Sequence, residues 1–347
     1  MPSDAIPRPF RPAPPTSAAL IDWPADFGQR FIITVDTEEE FDWQAPLARE
    51  GHATATIAAL PDAHRRLREA GAELAYMVDW PVAASDAAAE TLRAMAADQG
   101  AGIGTQLHPW VNPPFDEPLS EANSFPGNLP PALEAAKLDR LTALIADRIG
   151  VRPMAYRAGR YGIGPATFAL LASRGYRLDS SMRARYDYSK AAGPDFTEIG
   201  SHAFRAGPDG AIVELPLTTV FTGRARRAGA ALDRWLARLP HGRGVFARSG
   251  LLARVALTPE DMPVADAMEA VRIALGEGVA ILNFAFHSPS VAPGHTPYVR
   301  DAADLRIFYD WWDRVLGLLA QRGARAIMLD GIVAAADAVL ASREAAA

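Results

Sequence analysis

Apolar residues along this chain fall into two alternating rhythms. Compact runs rich in β-branched and aromatic residues occupy 31–35, 73–78, 102–107, 153–156, 176–179, 279–286 and 325–329. The stretches 53–69, 86–97, 129–149, 165–174, 259–275, 302–320 and 330–341 instead space their apolar positions three and four apart. The first pattern fits strands buried in a sheet, and the second fits helices that cover one. Strand and helix in alternation make parallel βαβ units, because a parallel strand needs a long crossover. About seven such strands point to a barrel, complete or not, over a doubly wound open sheet. No Gly-rich phosphate loop follows the first strand, which counts against a dinucleotide site.

Two stretches break the rhythm. Residues 1–28 are rich in proline and small side chains. They read as an extended leader laid over a single domain spanning 29–347, or as disorder. At about 190–256 the runs 196–199 and 211–215 flank a turn at Pro208-Asp209-Gly210, a β-rich excursion. The segment 224–254 that follows is dense in arginine. It is a solvated helix face, a subunit contact of a homo-oligomer, or a lid that receives an anionic substrate.

In a parallel barrel the chemistry gathers at the carboxyl ends of the strands. Those exits carry Asp36 and Glu38; Asp79 and Trp80; His108, Pro109 and Trp110; Arg157, Arg160 and Tyr161; Asp179, Ser180 and Ser181; His287; and Asp330. One polar residue after a strand is an ordinary cap, but a series of them in register marks a site. Alternation along a strand sends Asp36 and Glu38 to the same side. Two carboxylates in one mouth can divide the work, one as a base and one as a metal ligand or orienting group. Glu39 and Glu40 are expected to face solvent or form salt bridges, and Phe41 and Trp43 to wall the pocket or pack the loop.

Composition narrows the choices. A 49% hydrophobic chain of 347 residues can bury a large core. Its net charge of −6 argues against a nucleic-acid partner. With no cysteine, a thiolate nucleophile and a cysteine-held zinc are excluded, and seven histidines keep the set of nitrogen ligands short. No apolar run approaches the ~20 residues of a membrane span. The first residues show no signal-peptide core, so a cytoplasmic location is expected.

The strand exits also resemble a known family. Thr34-Val35-Asp36-Thr37-Glu38 stands where polysaccharide deacetylases of the NodB-homology type carry T-F-D-D-G. Arg157-Ala158-Gly159-Arg160-Tyr161-Gly162 is similar to their R-P-P-x-G motif, and Leu282 to His287 to their strand ending in histidine. The string from Phe286 to Tyr298 resembles a WalW-like subgroup. The resemblance runs in order from about 30 to 330. It implies a distorted (β/α)7 barrel and a hydrolase that removes acyl groups from carbohydrate-type substrates, a C–N bond other than a peptide bond. It implies Asp36 as general base, Arg157 as the group orienting it, and His287 as general acid. Trp80, Trp110, Arg160, Tyr161 and Asp179 are the expected substrate contacts, and His295 and Tyr298 the expected lid.

The metal motif of that family, H-S/T-x-x-H, is not matched. Gln106 and Trp110 stand at the two histidine positions, His108 falls between them, and Thr37 replaces the metal-binding Asp. Two accounts remain open. In one, Glu38, His108 and Gln106 hold a divalent ion, zinc or similar. In the other, the site is metal-free, as in relatives on this fold that open cyclic ureides or imides. A third reading is a non-catalytic glycan-binding barrel.

Overall fold

The computed structural model describes residues 9–42 and 45–346. The start of the leader, 1–8, and Trp43 lie outside the described residues. Eleven strands are found among those residues: β1 (Arg30–Thr37), β2 (Leu74–Val78), β3 (Gly102–Leu107), β4 (Ala155–Ala158), β5 (Leu178–Asp179), β6 (Phe204–Ala206), β7 (Ile212–Glu214), β8 (Thr219–Thr222), β9 (Ala253–Ala256), β10 (Ile281–His287) and β11 (Arg325–Ala326). The helices are α1 (Leu60–Glu69), α2 (Trp80–Ala84), α3 (Asp86–Gln99), α4 (Pro131–Arg148), α5 (Thr167–Ser173), α6 (Gly229–Leu236), α7 (Gly242–Arg248), α8 (Val264–Gly276), α9 (Ala302–Gln321) and α10 (Leu329–Ala346). None is long and apolar enough to cross a membrane.

The architecture is mixed α/β around one curled sheet, ordered β10-β1-β2-β3-β4-β5-β7-β6. All neighbours on this path are parallel except β6 and β7. Past β7, Thr218 donates its N–H to the Asn283 carbonyl of β10 at 3.1 Å, and Leu257 bridges Thr218 to Ala285. Those bonds join the two ends of the parallel path.

The period of two sorts the strand residues. Phe31, Ile33 and Val35 face the covering helices with Leu74, Tyr76 and Phe284. Ile32 faces inward with Ala75, Met77, Ala155, Leu178, Val213 and Ile281. Leu329, Ile332 and Val333 of α10 close this inner layer at the amino ends of the strands. Above it the inward positions turn polar: Thr34, Arg157 and Asn283, then Asp36 and His287. Polar residues this deep are tolerated because each is hydrogen-bonded.

Several expectations need correction. The strand placed at 153–156 is β4, two residues later, so Arg157 lies within a strand rather than beyond it. The 53–69 helix begins as a 3-10 segment at Ala55–Ala59 before α1, and the 259–275 helix begins only at Val264. Residues 196–199 form no strand; the turn at Pro208 joins β6 to β7. β7 belongs to the parallel path rather than to an excursion, and its three residues were too few to show a period. Asp330 sits exposed inside α10, away from the strand exits.

The described part of the leader packs down on the curled sheet and its surroundings. Leu20 bridges Phe204, Ile21 and Phe27 are buried, and Arg11 pairs with Asp195 at 2.5 Å. The arginine-rich segment forms α6 and α7 beyond the β8–β9 hairpin. Arg226 reaches Glu277 at the end of α8, so this segment sits near the amino ends of the strands. Residues 224–254 do not line the cleft described next, so they form no lid over it.

Candidate functional site

At the carboxyl ends of the strands two adjoining cavities, of about 220 and 250 Å³, share Asp36, Tyr161, Arg183, His287 and Tyr298. The second also takes in Glu38, Gln106, His108, Trp110 and Arg160.

Asp36 is held from below. Arg157, fully buried, donates from Nη1 to Asp36 Oδ1. It also donates from Nη2 to Thr34 Oγ1 at 2.6 Å and Ser180 Oγ at 2.9 Å, and from Nε to the Ser180 carbonyl at 2.9 Å. Asn283 Nδ2 ties Ser180 Oγ into the same network at 2.8 Å. The guanidinium cannot move without breaking several buried bonds, so one oxygen of Asp36 is fixed and the other is turned to the cleft.

His287 faces that second oxygen, with Nε2 3.7 Å from Asp36 Oδ2. Behind it stands Glu260. This carboxylate accepts from the His287 backbone N–H at 3.0 Å, from Ser290 Oγ at 2.5 Å, and meets His287 Nδ1 at 2.7 Å. Burial alone would lower His287, but Glu260 and the other nearby carboxyls lift it to about 10. The ring is therefore an imidazolium at neutral pH, and Nε2 is turned toward Asp36 in the cleft.

A second carboxylate–imidazole pair lies across the cleft. His108 Nδ1 is 3.2 Å from Glu39 Oε2, and Nε2 is 3.7 Å from Glu38 Oε2. Trp110 stacks on the ring at 4.3 Å and donates Nε1–H to Glu39 Oε1 at 3.2 Å. The imidazole packs so closely on the β4 exit that a Cβ on Gly159 would sit 2.4 Å from His108 Cδ2. Only glycine leaves room for the ring there.

Glu39 is wholly buried rather than solvent-facing or on the surface. One residue along from Glu38, it points to the opposite side and joins Asp79 and His108. Burial and the Glu39 charge push Asp79 well up, while hydrogen bonds from Asp79 and His108 pull Glu39 down against burial. Burial also pushes Glu38 well above the usual carboxylate range, against the pull of His287. Glu40 accepts from the Thr56 N–H and pairs with His295 at 3.0 Å, pinning the loop after β10 to the exit of β1.

Two donor sets can be tested for a divalent ion. Glu39, Asp79 and His108 offer ligand atoms all within 4.8 Å of one another. Their oxygens are already engaged by Trp110, His108, and the Val82 and Glu39 N–H groups. Glu38 Oε1 and Gln106 Oε1 are buried and have no hydrogen-bond partner, and both residues line the cavity with His108. Orphaned buried oxygens beside an imidazole nitrogen fit a cation. A ring whose other nitrogen rests on a carboxylate, here Glu39, is the usual setting of a metal-ligating histidine.

The remaining expected contacts divide. Trp110, Arg160 and Tyr161 line the cleft. Arg160 and Tyr161 both have left-handed backbone, φ 54° and 61°, a strain that clusters at sites held by their surroundings. Trp80 packs against the core and Asp179 pairs with Glu214, so neither lines the cleft. With Leu178 on the inner face of the curled sheet, the period of two sends Asp179 outward. Tyr298 stands beside His287 in both cavities.

Sequence reasoning missed Glu260, Arg183 and the pairing of Glu39 with Asp79. Glu260 was read as the first turn of a helix, and Pro259 before it fits a helix start or a loop equally well. Asp79 stood in the strand-exit series without a role assigned to it.

No family model matches the chain, and no curated protein matches it. Among solved structures it is similar to a Mycobacterium smegmatis protein described as a polysaccharide deacetylase, at 21% identity and a TM-score of 0.48, covering 91% of this chain and 98% of that one. It is similar to a Pseudomonas aeruginosa protein described in the same way, at 13% identity and a TM-score of 0.46, covering 91% and 93%. PuuE allantoinase gives 13% identity and a TM-score of 0.48, covering 93% of each chain. At these levels the chemistry of the site rests on this chain's own residues.

Proposed function

We propose that this chain is a hydrolase that removes an acyl group from nitrogen, a non-peptide C–N bond, on a carbohydrate-type substrate, working in a (β/α)7 barrel of the deacetylase type. The observation that carries this reading is the opposed pair in one cleft: Asp36 fixed by Arg157, and a protonated His287 fixed by Glu260, 3.7 Å apart. A base and an acid kept apart by separate partners are what amide hydrolysis needs. Asp36 takes a proton from water as its oxygen adds to the acyl carbonyl. The tetrahedral adduct collapses as His287 Nε2 gives its proton to the leaving nitrogen, which departs as the free amine and leaves the carboxylate product. Arg157 acts through Asp36 and is a positioning residue, as is Glu260 through His287.

Glu38, His108 and Gln106 would hold a divalent ion, with Glu39 orienting His108 from behind. Such an ion would polarise the acyl oxygen and favour ionised water. The chain's own part is to supply two oxygens and one nitrogen on one wall of a closed cleft.

Release of acetate from a panel of N- and O-acetylated sugars tests the reaction. Asp36→Asn and His287→Ala should each lose at least 100-fold, and undiminished release in both would sink the assignment. Elemental mass spectrometry tests the ligands. Glu38→Gln and His108→Ala should lose the ion and Asp79→Asn should keep it; loss in Asp79→Asn with retention in Glu38→Gln would move the ion to the Glu39 cluster.

A further inference from the structure

Arg183 is a cleft cation that the proposed reaction does not use. Arg183 lines both cavities, beside Asp36 and His287. Its backbone is fixed by a bridge to Leu217, with Ala184 N–H on the Leu217 carbonyl and Leu217 N–H on the Met182 carbonyl. The guanidinium lies 3.9 Å above the Tyr186 ring and 5.6 Å from that of Tyr161. Arg254, which does not line the cleft and pairs with Asp233, stacks 3.7 Å from the same Tyr186 ring. Two positive charges thus share one aromatic side chain.

Arg183 has little else to hold. Among the described residues no carboxylate lies within ion-pair distance of it. Its one hydrogen bond runs from Nη1 to Tyr188 Oη at 3.5 Å, and Nε is buried with no partner. Arg157 and Arg160, which line the same cleft, are both ion-paired. The acidic groups lining the 220 Å³ cavity with Arg183 are Asp36, Glu260 and Asp261. Asp36 is committed to Arg157, Glu260 to His287 and Ser290, and Asp261 acts on Arg183 only from beyond ion-pair distance. Leu217, Ala256, Leu257 and Met262 add an apolar side to the cavity beside Thr218 and Thr258. An arginine held rigid and short of partners in such a place is costly unless something anionic completes it, and a planar guanidinium is suited to an oxyanion.

We infer that Arg183 is a substrate-binding residue, and that the substrate carries an anionic oxygen group, a carboxylate or a phosphate, which docks in the 220 Å³ cavity while its acyl group lies between Asp36 and His287. This rests on the hydrolase reading for the acyl half and on the cavity alone for the anionic half. A neutral substrate of the same shape would leave Arg183 unpaired, so the site selects by charge.

The test separates the two halves. Calorimetric titration of the full chain with acetate, malonate and inorganic phosphate, against neutral acetamide, reads anion binding without turnover. At least one anion should bind one per chain and at least 10-fold more tightly than acetamide. Carboxylate and phosphate arms tell which source is preferred. Arg183→Met should abolish the preference and Arg183→Lys should keep part of it. Both variants are checked by circular dichroism, and removal of a poorly paired charge should leave the melt close to wild type. No preference for any anion, or one that survives in folded Arg183→Met, overturns the inference. Anion binding that depends on Arg183, with no acyl release from any substrate, keeps the inference and removes the hydrolase reading. Acyl release with no anion preference does the reverse.

Discussion

Replacing Glu260 by glutamine should change the charge of His287 without touching the cleft's shape. The side chain keeps its size and one acceptor, so the Ser290 and His287 N–H bonds can persist. What is lost is the negative charge 2.7 Å from Nδ1. Raising His287 from 6.5 to about 10 corresponds to about 5 kcal/mol in favour of the imidazolium. The ring is 20% exposed, so solvent screening trims this to a few kcal/mol. Burial acts in the opposite sense, and the lift comes from Glu260 first, then Glu38 and Asp36. Without Glu260, the first of the charges that lift it, the ring should titrate well below 10. A ring returned all the way to 6.5 would be protonated in about one molecule in ten at pH 7.5, so acyl release should drop by up to about 10-fold. The sign for stability follows. A raised histidine stabilises the fold fully below its unfolded value of 6.5 and loses that contribution as pH rises through about 10. Wild type should therefore lose stability between those limits, and Glu260→Gln should lose less. Proton NMR of the histidine rings in chelator-treated protein reads the effect directly, with His287→Asn assigning the signal. A His287 that still titrates near 10 in Glu260→Gln would refute the electrostatic account.

Other expectations are equally direct. Asp36→Asn should cost a few kcal/mol in denaturant titrations as well as activity, because Arg157 keeps its buried charge and loses its counter-ion; a stability equal to wild type would contradict that pairing. Glu134, lifted by burial from 4.5 to about 7, stabilises below 4.5 and loses about 3 kcal/mol as pH rises past 7. Glu134→Gln keeps an acceptor for Thr167 Oγ1 and should remove that loss, seen by comparing unfolding at pH 5 and pH 8; a difference that persists in the variant counts against it. Gly159→Ala should destabilise by about 1–3 kcal/mol and displace His108, since the new methyl would meet Cδ2 at 2.4 Å and the Leu107 carbonyl at 2.6 Å. Unchanged unfolding and unchanged metal content would show that the ring has room.

Much of this protein is already determined by the one-dimensional order of its side chains. The alternation of strand and helix periods fixes parallel units, because each strand must be covered by the helix that follows it. The period of two within Thr34-Val35-Asp36-Thr37-Glu38 is a local property, so the common facing of Asp36 and Glu38 is legible without coordinates. His287 at the end of an apolar strand is legible for the same reason.

What neighbours across sequence is decided only by the curl of the sheet. Glu260 lies 27 residues before His287 in a loop with no period of its own, and nothing local says that it backs the imidazole. Arg183, four residues beyond β5, lines the same cleft as Asp36 only because the parallel path closes at Thr218 and Asn283. Glu39 and Asp179 mark the limit from the other side. Both are acids at strand exits, yet a step of one residue turns each away from the cleft and into a buried pair. A sequence shows which residues share a face of one strand. Which faces meet, and which carboxyl therefore keeps its charge, depends on distances and burial that exist only once the chain has closed around them.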